Sequence, residues 1–337
     1  MNIAIVGATG VVGQAFLTVL EESPLHVGRL YLFASARSAG KKIRFRGAEY
    51  AVEELTAASF RPGALDYALF SAGGAVAQTF APLAAAAGAT VVDNSSAWRM
   101  HDDVPLVVPE VNIDDARHPP RGIIANPNCS TIQTMLPLKA LADGYGLRRV
   151  VYTTYQAVSG AGAKGIRDLE ATLRGDPPAF FPYAIAQNCI PHIDRFADDD
   201  YTKEELKMIN ETRKILHLPA LPVTATCVRV PIFNGHSVAI VAETERPFDV
   251  QTVKQAFAVF PGLLVQDDVA AAKYPVAEQA NGRNEVLVGR IRRDFSQPNS
   301  LHIWCVADNI RKGAAANAVQ IIEYLEQPTR KTHTYGT

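Results

Sequence analysis

The sequence predicts an α/β protein in two parts. The first is a doubly wound domain with a parallel sheet, and the second an α+β domain with a largely antiparallel mixed sheet. Three observations carry this. Residues 1–128 alternate short apolar strands with helical stretches, the pattern of a parallel sheet covered on both faces. A strand, a glycine turn and a helix follow one another directly at the amino terminus. The second half holds longer strands instead, Arg148 to Gln156, Val223 to Pro231, Ser237 to Thr244 and Leu301 to Ala307. The expected division gives residues 1–128, with a returning C-terminal helix in 309–337, to the first domain and 129–308 to the second.

A length of 337 residues is enough for two cores, and 20% charged with 48% hydrophobic residues is an ordinary globular composition. A net charge of -1 argues against a nucleic-acid surface or an anionic membrane as partner. The four cysteines, at 129, 189, 227 and 305, include no CxxC pair and no zinc spacing, so no metal is expected. No apolar run approaches the roughly 20 residues that cross a bilayer. With no signal peptide, the expected setting is the cytoplasm.

Asn2 to Val6 is an apolar run suited to a strand buried on both faces, and Gly7-Ala-Thr9-Gly10-Val11-Val12-Gly13 opens a helix over Gln14 to Glu22. Strand, glycine turn and helix in that order form a Rossmann-like dinucleotide fingerprint, here G-x-x-G-x-x-G. Its glycines admit backbone close to a pyrophosphate, which sits on the helix start. The second strand, Leu30 to Ala34, ends where an NAD site would place Asp or Glu for the ribose 2′-hydroxyl. The chain has Ser35, Arg37 and Ser38 there instead, groups that suit a 2′-phosphate, so NADP(H) is expected over NAD(H). Lys41 and Lys42 read more simply as a solvated loop. Ser71, Gly73, Asn94 and Ser95 fall at later strand ends and are expected in the cofactor crevice. Arg99 follows just beyond one of those ends.

At the junction of the two halves, Ile124-Ala-Asn126-Pro-Asn128-Cys129-Ser130-Thr131 runs from an apolar pair through a proline turn into a helical segment, Ser130 to Leu141. Asn128 or Ser130 is the expected cap. A cysteine at such a start faces free N–H groups and a partial positive charge, which favour a nucleophilic thiolate. The competing reading is a buried structural cysteine.

Farther on, Gln156 ends a strand with an uncharged amide, and Ala157 to Ala163, including Ser159 and Gly160, is a small-residue loop open to a ligand. Helix is expected over Asp168 to Arg174 and irregular chain over Pro177 to Arg195. Thr202 to Ile215 reads as an amphipathic helix with Thr202 and Glu205 as a capping box. Glu204 and Lys207 share a face of it, and on spacing alone they are a surface ion pair. The strands flanking Phe233-Asn-Gly235-His236 read as an antiparallel pair joined at that turn, with Arg229 and His236 on either side. A lone histidine is more often structural, yet a cysteine nucleophile needs a proton partner. Cys227 and Cys305 lie mid-strand and read as core. A helix over Ile310 to Leu325 closes the chain, with Gly313 to Ala316 as a small-residue face and Asn309 in reach of a nicotinamide.

Taken together, GATGVVG, SARSAG, DNSSAWR, NPNCST, YQAVSGAG, EELKMINETRKI, RVPIFNGHS and ADNIRKGAA resemble, in order and along essentially the whole chain, the motifs of the aspartate-β-semialdehyde dehydrogenase family. The resemblance implies a second domain like that of glyceraldehyde-3-phosphate dehydrogenase and NADPH-dependent reduction of L-4-aspartyl phosphate to L-aspartate 4-semialdehyde with release of phosphate. That reaction leads to lysine, methionine and threonine. It implies Cys129 as nucleophile, His236 as general acid/base and Gln156 as the residue orienting the substrate. Arg229 matches the carboxylate grip, Glu204 the contact to the substrate amine, and Arg99 with Lys207 the acyl-phosphate site. The implied cofactor contacts are Gly7, Thr9, Gly10, Val11, Val12, Gly13, Ser35, Arg37, Ser38, Ser71, Gly73, Asn94, Ser159, Gly160 and Asn309. A homodimer is implied too, with residues around 160–200 as a candidate interface. The rivals are another acyl-phosphate reductase, such as N-acetyl-glutamyl-phosphate reductase, and a non-catalytic NADP-binding regulator. The paired Glu204 and Arg229 favour a substrate with both an amine and a carboxylate.

Overall fold

The computed structural model describes residues 1–327; the last part of the expected C-terminal segment, 328–337, lies outside the described residues. The first sheet contains β1 (Asn2–Val6), β2 (Arg29–Ala34), β3 (Lys42–Phe45), β4 (Ala48–Glu54), β5 (Tyr67–Phe70), β6 (Thr90–Asp93) and β7 (Ile123–Ala125). Their order is β3-β4-β2-β1-β5-β6-β7, parallel throughout except for the β3–β4 pair. Strand order reverses at β1, so the turn after β1 opens into the crevice where doubly wound sheets bind ligands. Around this sheet lie α1 (Val11–Glu22), α2 (Gly74–Ala86) and the short α3 (Pro109–Asn112).

α4 (Cys129–Tyr145) links the two halves. It starts one residue earlier and ends four later than its polarity pattern indicates, and Ser130 through Leu138 are all buried. A helix buried on every face has no amphipathic edge from which to read its ends. The remaining elements are β8 (Leu147–Gln156), α5 (Gly162–Leu173), α6 (Lys203–Ile215), β9 (Val223–Arg229), β10 (His236–Thr244), α7 (Val250–Val259), β11 (Leu263–Val265), α8 (Ala277–Ala280), β12 (Val286–Arg293), β13 (Ser300–Ala307) and α9 (Ala316–Glu326). α5 begins six residues before the expected start, because Gly162 and Gly165 hide its first turn from a propensity reading. Gly165 is needed there: a Cβ on it would meet the Phe181 ring at 3.3 Å.

The second sheet runs β11-β12-β13-β10-β8-β9, with β8–β9 and β11–β12 parallel and the other pairs antiparallel. The expected pairing of the strands around the Asn-Gly turn is therefore corrected: β9 and β10 run opposite ways, but β8 lies between them. Residues 230–235 cross the end of β8, where the Val158 and Ser159 amides donate to Ile232 O and Phe233 O at 2.8 and 3.2 Å. That crossing sets Gln156 beside Arg229 in parallel register and brings His236 to the same end of the sheet. The closing helix also differs. Arg311–Ala315 is a π-helical turn, and only then does α9 begin. The turn presses Gly313 onto α4, where an added Cβ would stand 2.9 Å from the Cys129 Cβ.

Candidate active site

Cys129 is the first residue of α4, and Asn128 caps the helix by accepting from the Ser130 and Thr131 amides at 2.9 and 3.3 Å. Asn128 is also the hub of the site. Its Nδ2 donates to Glu204 Oε1 at 2.8 Å, and its backbone N–H donates to Glu211 Oε2 at 2.7 Å. Thus the turn bearing the sulfur is tied at two points to α6.

A cleft of 480 Å³ opens above this turn. It is lined by Cys129, Gln156, Arg229, Glu204, Lys207 and Arg99, and at the cofactor side by Val12, Asn94, Ser159, Gly160 and Asn309. Eleven of the sequence-predicted site residues therefore share one cavity. His236 is not at its wall: it is fully buried behind Gly160, whose added Cβ would lie 3.1 Å from His236 Nε2 and 3.0 Å from Arg229 Nη1.

The electrostatics differ from the helix-start argument. Cys129 is partly exposed to the cleft, but burial of its surroundings and the Glu204 carboxylate push its thiol up to about 11, against the opposing charges of Arg229, Arg99 and Lys207. Burial and the neighbouring Glu204 carboxylate both act against the thiolate here. Burial alone would raise Glu204. The Lys207 charge and hydrogen bonds from Gln156, Asn128 and Lys207 outweigh it and hold the carboxyl at about 2. Burial and the Arg229 charge bring His236 down to about 3. Its Nδ1 accepts from the Ala157 amide at 3.0 Å, so the ring is neutral with its proton on Nε2, which has no partner among the described residues.

The three cations are not equivalent. Arg99 is committed, with Nη1 to Glu211 Oε1 at 3.0 Å, Nε to Asn126 O at 2.9 Å and Nη2 to Asn94 O at 3.0 Å. Lys207 Nζ bridges Glu204 and Asp194 at 3.0 and 2.8 Å. Arg229 donates only to Ala157 O, at 2.6 Å, among the described residues, so most of its guanidinium fork is free. Glu211 and Asp194 are site residues that the sequence reading missed. Glu211 carried one usable signal, since it stands one and two turns beyond Lys207 and Glu204 on the same helix face. Asp194 carried none, lying in irregular chain.

The cofactor residues form a second group around the β1 turn. Gly7 has φ +90, and an added Cβ would come within 3.0 Å of Ala72 N and Ser71 Oγ. A Cβ on Gly13 would strike Gly7 O, so the third glycine sets the helix close against the turn. Gly10 caps α1 without a side chain, which leaves the first N–H groups, at Val11 and Val12, available to an anion. Thr9 Oγ1 donates to Ser38 Oγ at 3.3 Å, joining the glycine turn to the Ala36–Ser38 turn. No carboxylate stands at the end of β2, where Ser35, Arg37 and Ser38 follow. These features fit a dinucleotide with a 2′-phosphate. Ser71 donates to Val6 O at 3.3 Å, and Gly73, at φ +91, opens α2. Asn309 holds Ser159 Oγ at 3.0 Å and accepts from the Gly235 amide at 2.9 Å, so its side chain fixes this corner instead of reaching freely into the cleft.

Comparison with known proteins returns two family models: "Semialdehyde dehydrogenase, NAD binding domain" over residues 2–118, and "Semialdehyde dehydrogenase, dimerisation domain" over residues 138–312. The chain is 53% identical to an aspartate-semialdehyde dehydrogenase of Aquifex aeolicus, covering 96% of this chain and 97% of that one. A crystal structure of aspartate semialdehyde dehydrogenase II from Vibrio cholerae, complexed with ASA, superposes with TM-score 0.90 at 46% identity, covering 96% and 97% of the two chains. An aspartate semialdehyde dehydrogenase from Candida albicans, solved with NADP, gives TM-score 0.75 at 26% identity over 96% and 98%.

Proposed function

This chain belongs to the aspartate-semialdehyde dehydrogenase family, and from that premise we propose how its residues carry the reaction. The activity is that of an aspartate-semialdehyde dehydrogenase serving the biosynthesis of the aspartate family of amino acids. In the reductive direction it converts L-4-aspartyl phosphate to L-aspartate 4-semialdehyde and phosphate. The observation that carries the assignment of roles is the convergence of Cys129, Gln156, Glu204 and the free fork of Arg229 on one cleft.

Arg229 takes the substrate α-carboxylate, in keeping with its uncommitted N–H groups. Glu204, ionised at about 2, faces the substrate amine. Gln156, anchored through Oε1 by Thr154 and through Nε2 by Glu204, orients the reacting carbonyl. Cys129 attacks that carbonyl to form a thioester. Arg99 and Lys207 neutralise the departing phosphate, which can carry off the thiol proton. NADP(H), when bound, would supply the hydride that the thioester carbonyl takes up. His236 then works at Nε2, the nitrogen that Ala157 leaves free: its N–H donates a hydrogen bond to the oxygen that becomes charged. As that oxyanion collapses to the aldehyde, the C–S bond breaks and Cys129 leaves as thiolate, taking its proton from water in the cleft.

Residues 1–128 and the returning segment after 308 hold NADP(H), with Gly7, Gly10, Val11, Val12 and Gly13 around the pyrophosphate. Ser35, Arg37 and Ser38 take the 2′-phosphate. Residues 129–308 carry catalysis and a homodimer contact; the dimerisation-domain match and the exposed Phe180, Tyr183 and Phe196 support an interface within 160–200. No helix among the described residues is long and apolar enough to cross a membrane, and all four cysteines are unbridged, which suits a reducing cytoplasm.

The test is phosphate-dependent NADP⁺ reduction with aspartate semialdehyde, followed by absorbance. Cys129→Ala is expected to abolish turnover and to keep NADPH affinity. Retained turnover, or loss of cofactor binding along with it, would overturn the assignment.

A further inference from the structure

We propose that Asp168, outside the cleft, is a positioning residue for substrate recognition: it pins the chain that sets the Phe181 ring against Arg229. The inference rests on reading Arg229 as the carboxylate grip. Asp168 is 3% exposed on α5. Its Oδ1 accepts from the Ala179 and Phe180 amides at 2.6 and 3.1 Å, and its Oδ2 from the Phe181 amide at 3.1 Å. One buried carboxylate thus holds three consecutive N–H groups of an otherwise irregular segment. One turn earlier on the same helix face, Gly165 leaves the space in which the Phe181 ring sits.

Phe181 lines the cleft, and the Arg229 Cζ lies 5.9 Å from its ring centroid. The guanidinium carbon stands over the ring, so Phe181 bounds the space beside the fork into which a carboxylate must come. An apolar wall there also lowers the local dielectric and strengthens the ion pair formed on binding. Recognition of a short amino-acid aldehyde by its carboxylate therefore depends on where Phe181 stands, and Asp168 sets that position.

The experiment is steady-state kinetics of the full-length enzyme in the phosphorylating direction, comparing Asp168→Asn, Phe181→Leu and Arg229→Lys with the parent. Asp168→Asn keeps the shape and separates the bonds. Its amide oxygen can still take the Ala179 and Phe180 donors, while its NH₂ group meets the Phe181 N–H donor to donor. The expected result for Asp168→Asn and Phe181→Leu is a rise in KM for aspartate semialdehyde of about three- to thirtyfold. KM for phosphate, KM for NADP⁺ and kcat should stay within about twofold. Equal changes in all three KM values, or an unchanged semialdehyde KM in folded Asp168→Asn, would overturn the proposal. Should Asp168→Asn fail to fold, Phe181→Leu decides by the same criterion. An unchanged semialdehyde KM in Arg229→Lys would sink the grip itself, and this inference with it. A raised KM in that variant alone would sink only the role of Asp168.

Discussion

Glu211 is where the phosphate-side cation and the nucleophile turn are held by one side chain, and Glu211→Ala tests how much that is worth. The carboxylate is 1% exposed and accepts from Arg99 Nη1 at 3.0 Å and from the Asn128 amide at 2.7 Å, with both partners themselves buried. Removing one member of a buried ion pair costs about 3–5 kcal/mol, because the other charge stays behind unpaired. The stranded Asn128 N–H adds about 1–3 kcal/mol if it finds no new acceptor. Arg99 keeps its bonds to Asn126 O and Asn94 O, so the lower end of the combined range, about 4 kcal/mol, is the expected loss. With a urea slope of about 2–3 kcal/mol per molar, the unfolding midpoint should fall by roughly 1.3–2 M. Glu211→Gln, which retains one acceptor, should lose less. Circular dichroism during urea titration reads both. A Glu211→Ala midpoint within about 0.3 M of the parent would refute the reasoning, since it would mean that Arg99 is not held by this carboxylate.

Two further outcomes follow from the buried site. The imidazole of His236 is held at about 3 against an ordinary 6.5, so between those values the unfolded chain binds a proton that the folded one refuses. Stability should therefore be whole above 6.5 and fall as the pH drops toward 3. Between 6.5 and about pH 5 the parent should lose about 2 kcal/mol more than His236→Gln in matched denaturation series, and parallel curves would contradict the assignment. Gly160→Ala would place a Cβ 3.0 Å from Arg229 Nη1 and 3.1 Å from His236 Nε2. At least a tenfold fall in kcat/KM, or about 1.4 kcal/mol of transition-state stabilisation, is expected with little change in melting temperature, and parent-like kinetics would show that the gap tolerates a methyl.

What could be read beforehand was the chemistry of neighbours along the chain. The glycine turn opening α1 and the capping box of α6 are local. Both appear, the former with α1 starting three residues earlier than Gln14, at Val11, and the latter with Glu205 Oε2 accepting from the Thr202 amide at 2.7 Å and the Thr202 hydroxyl accepting from the Glu205 amide at 3.3 Å. The order of β9, β8 and β10 was not legible, because an Asn-Gly between two strands signals a reversal without naming the strand that fills the gap. Cys129 shows the same limit electrostatically. Its helix-start position is visible in sequence, whereas the Glu204 carboxylate that helps raise its thiol arrives from a helix in another part of the chain. Glu204 and Lys207 illustrate the reverse: spacing makes them an ordinary exposed pair, and only burial against Asn128 and Gln156 makes them part of a site.

The π-helical turn that seats Gly313 on the Cys129 Cβ has a consequence in time. The sulfur stands at residue 129, but the surface closing over its rear comes from residues 311–315, far later in the chain. During synthesis, domains form as the chain emerges, and a contact so distant in sequence must wait for its second partner. A nascent chain halted before the turn would hold its thiol beside an unfinished wall. Chemistry at this cysteine is thereby deferred until residues 311–315 have been made, and a product cut short before them would lack α9 as well, whose Ala316, Val319 and Ile322 share one core with β1 and α1.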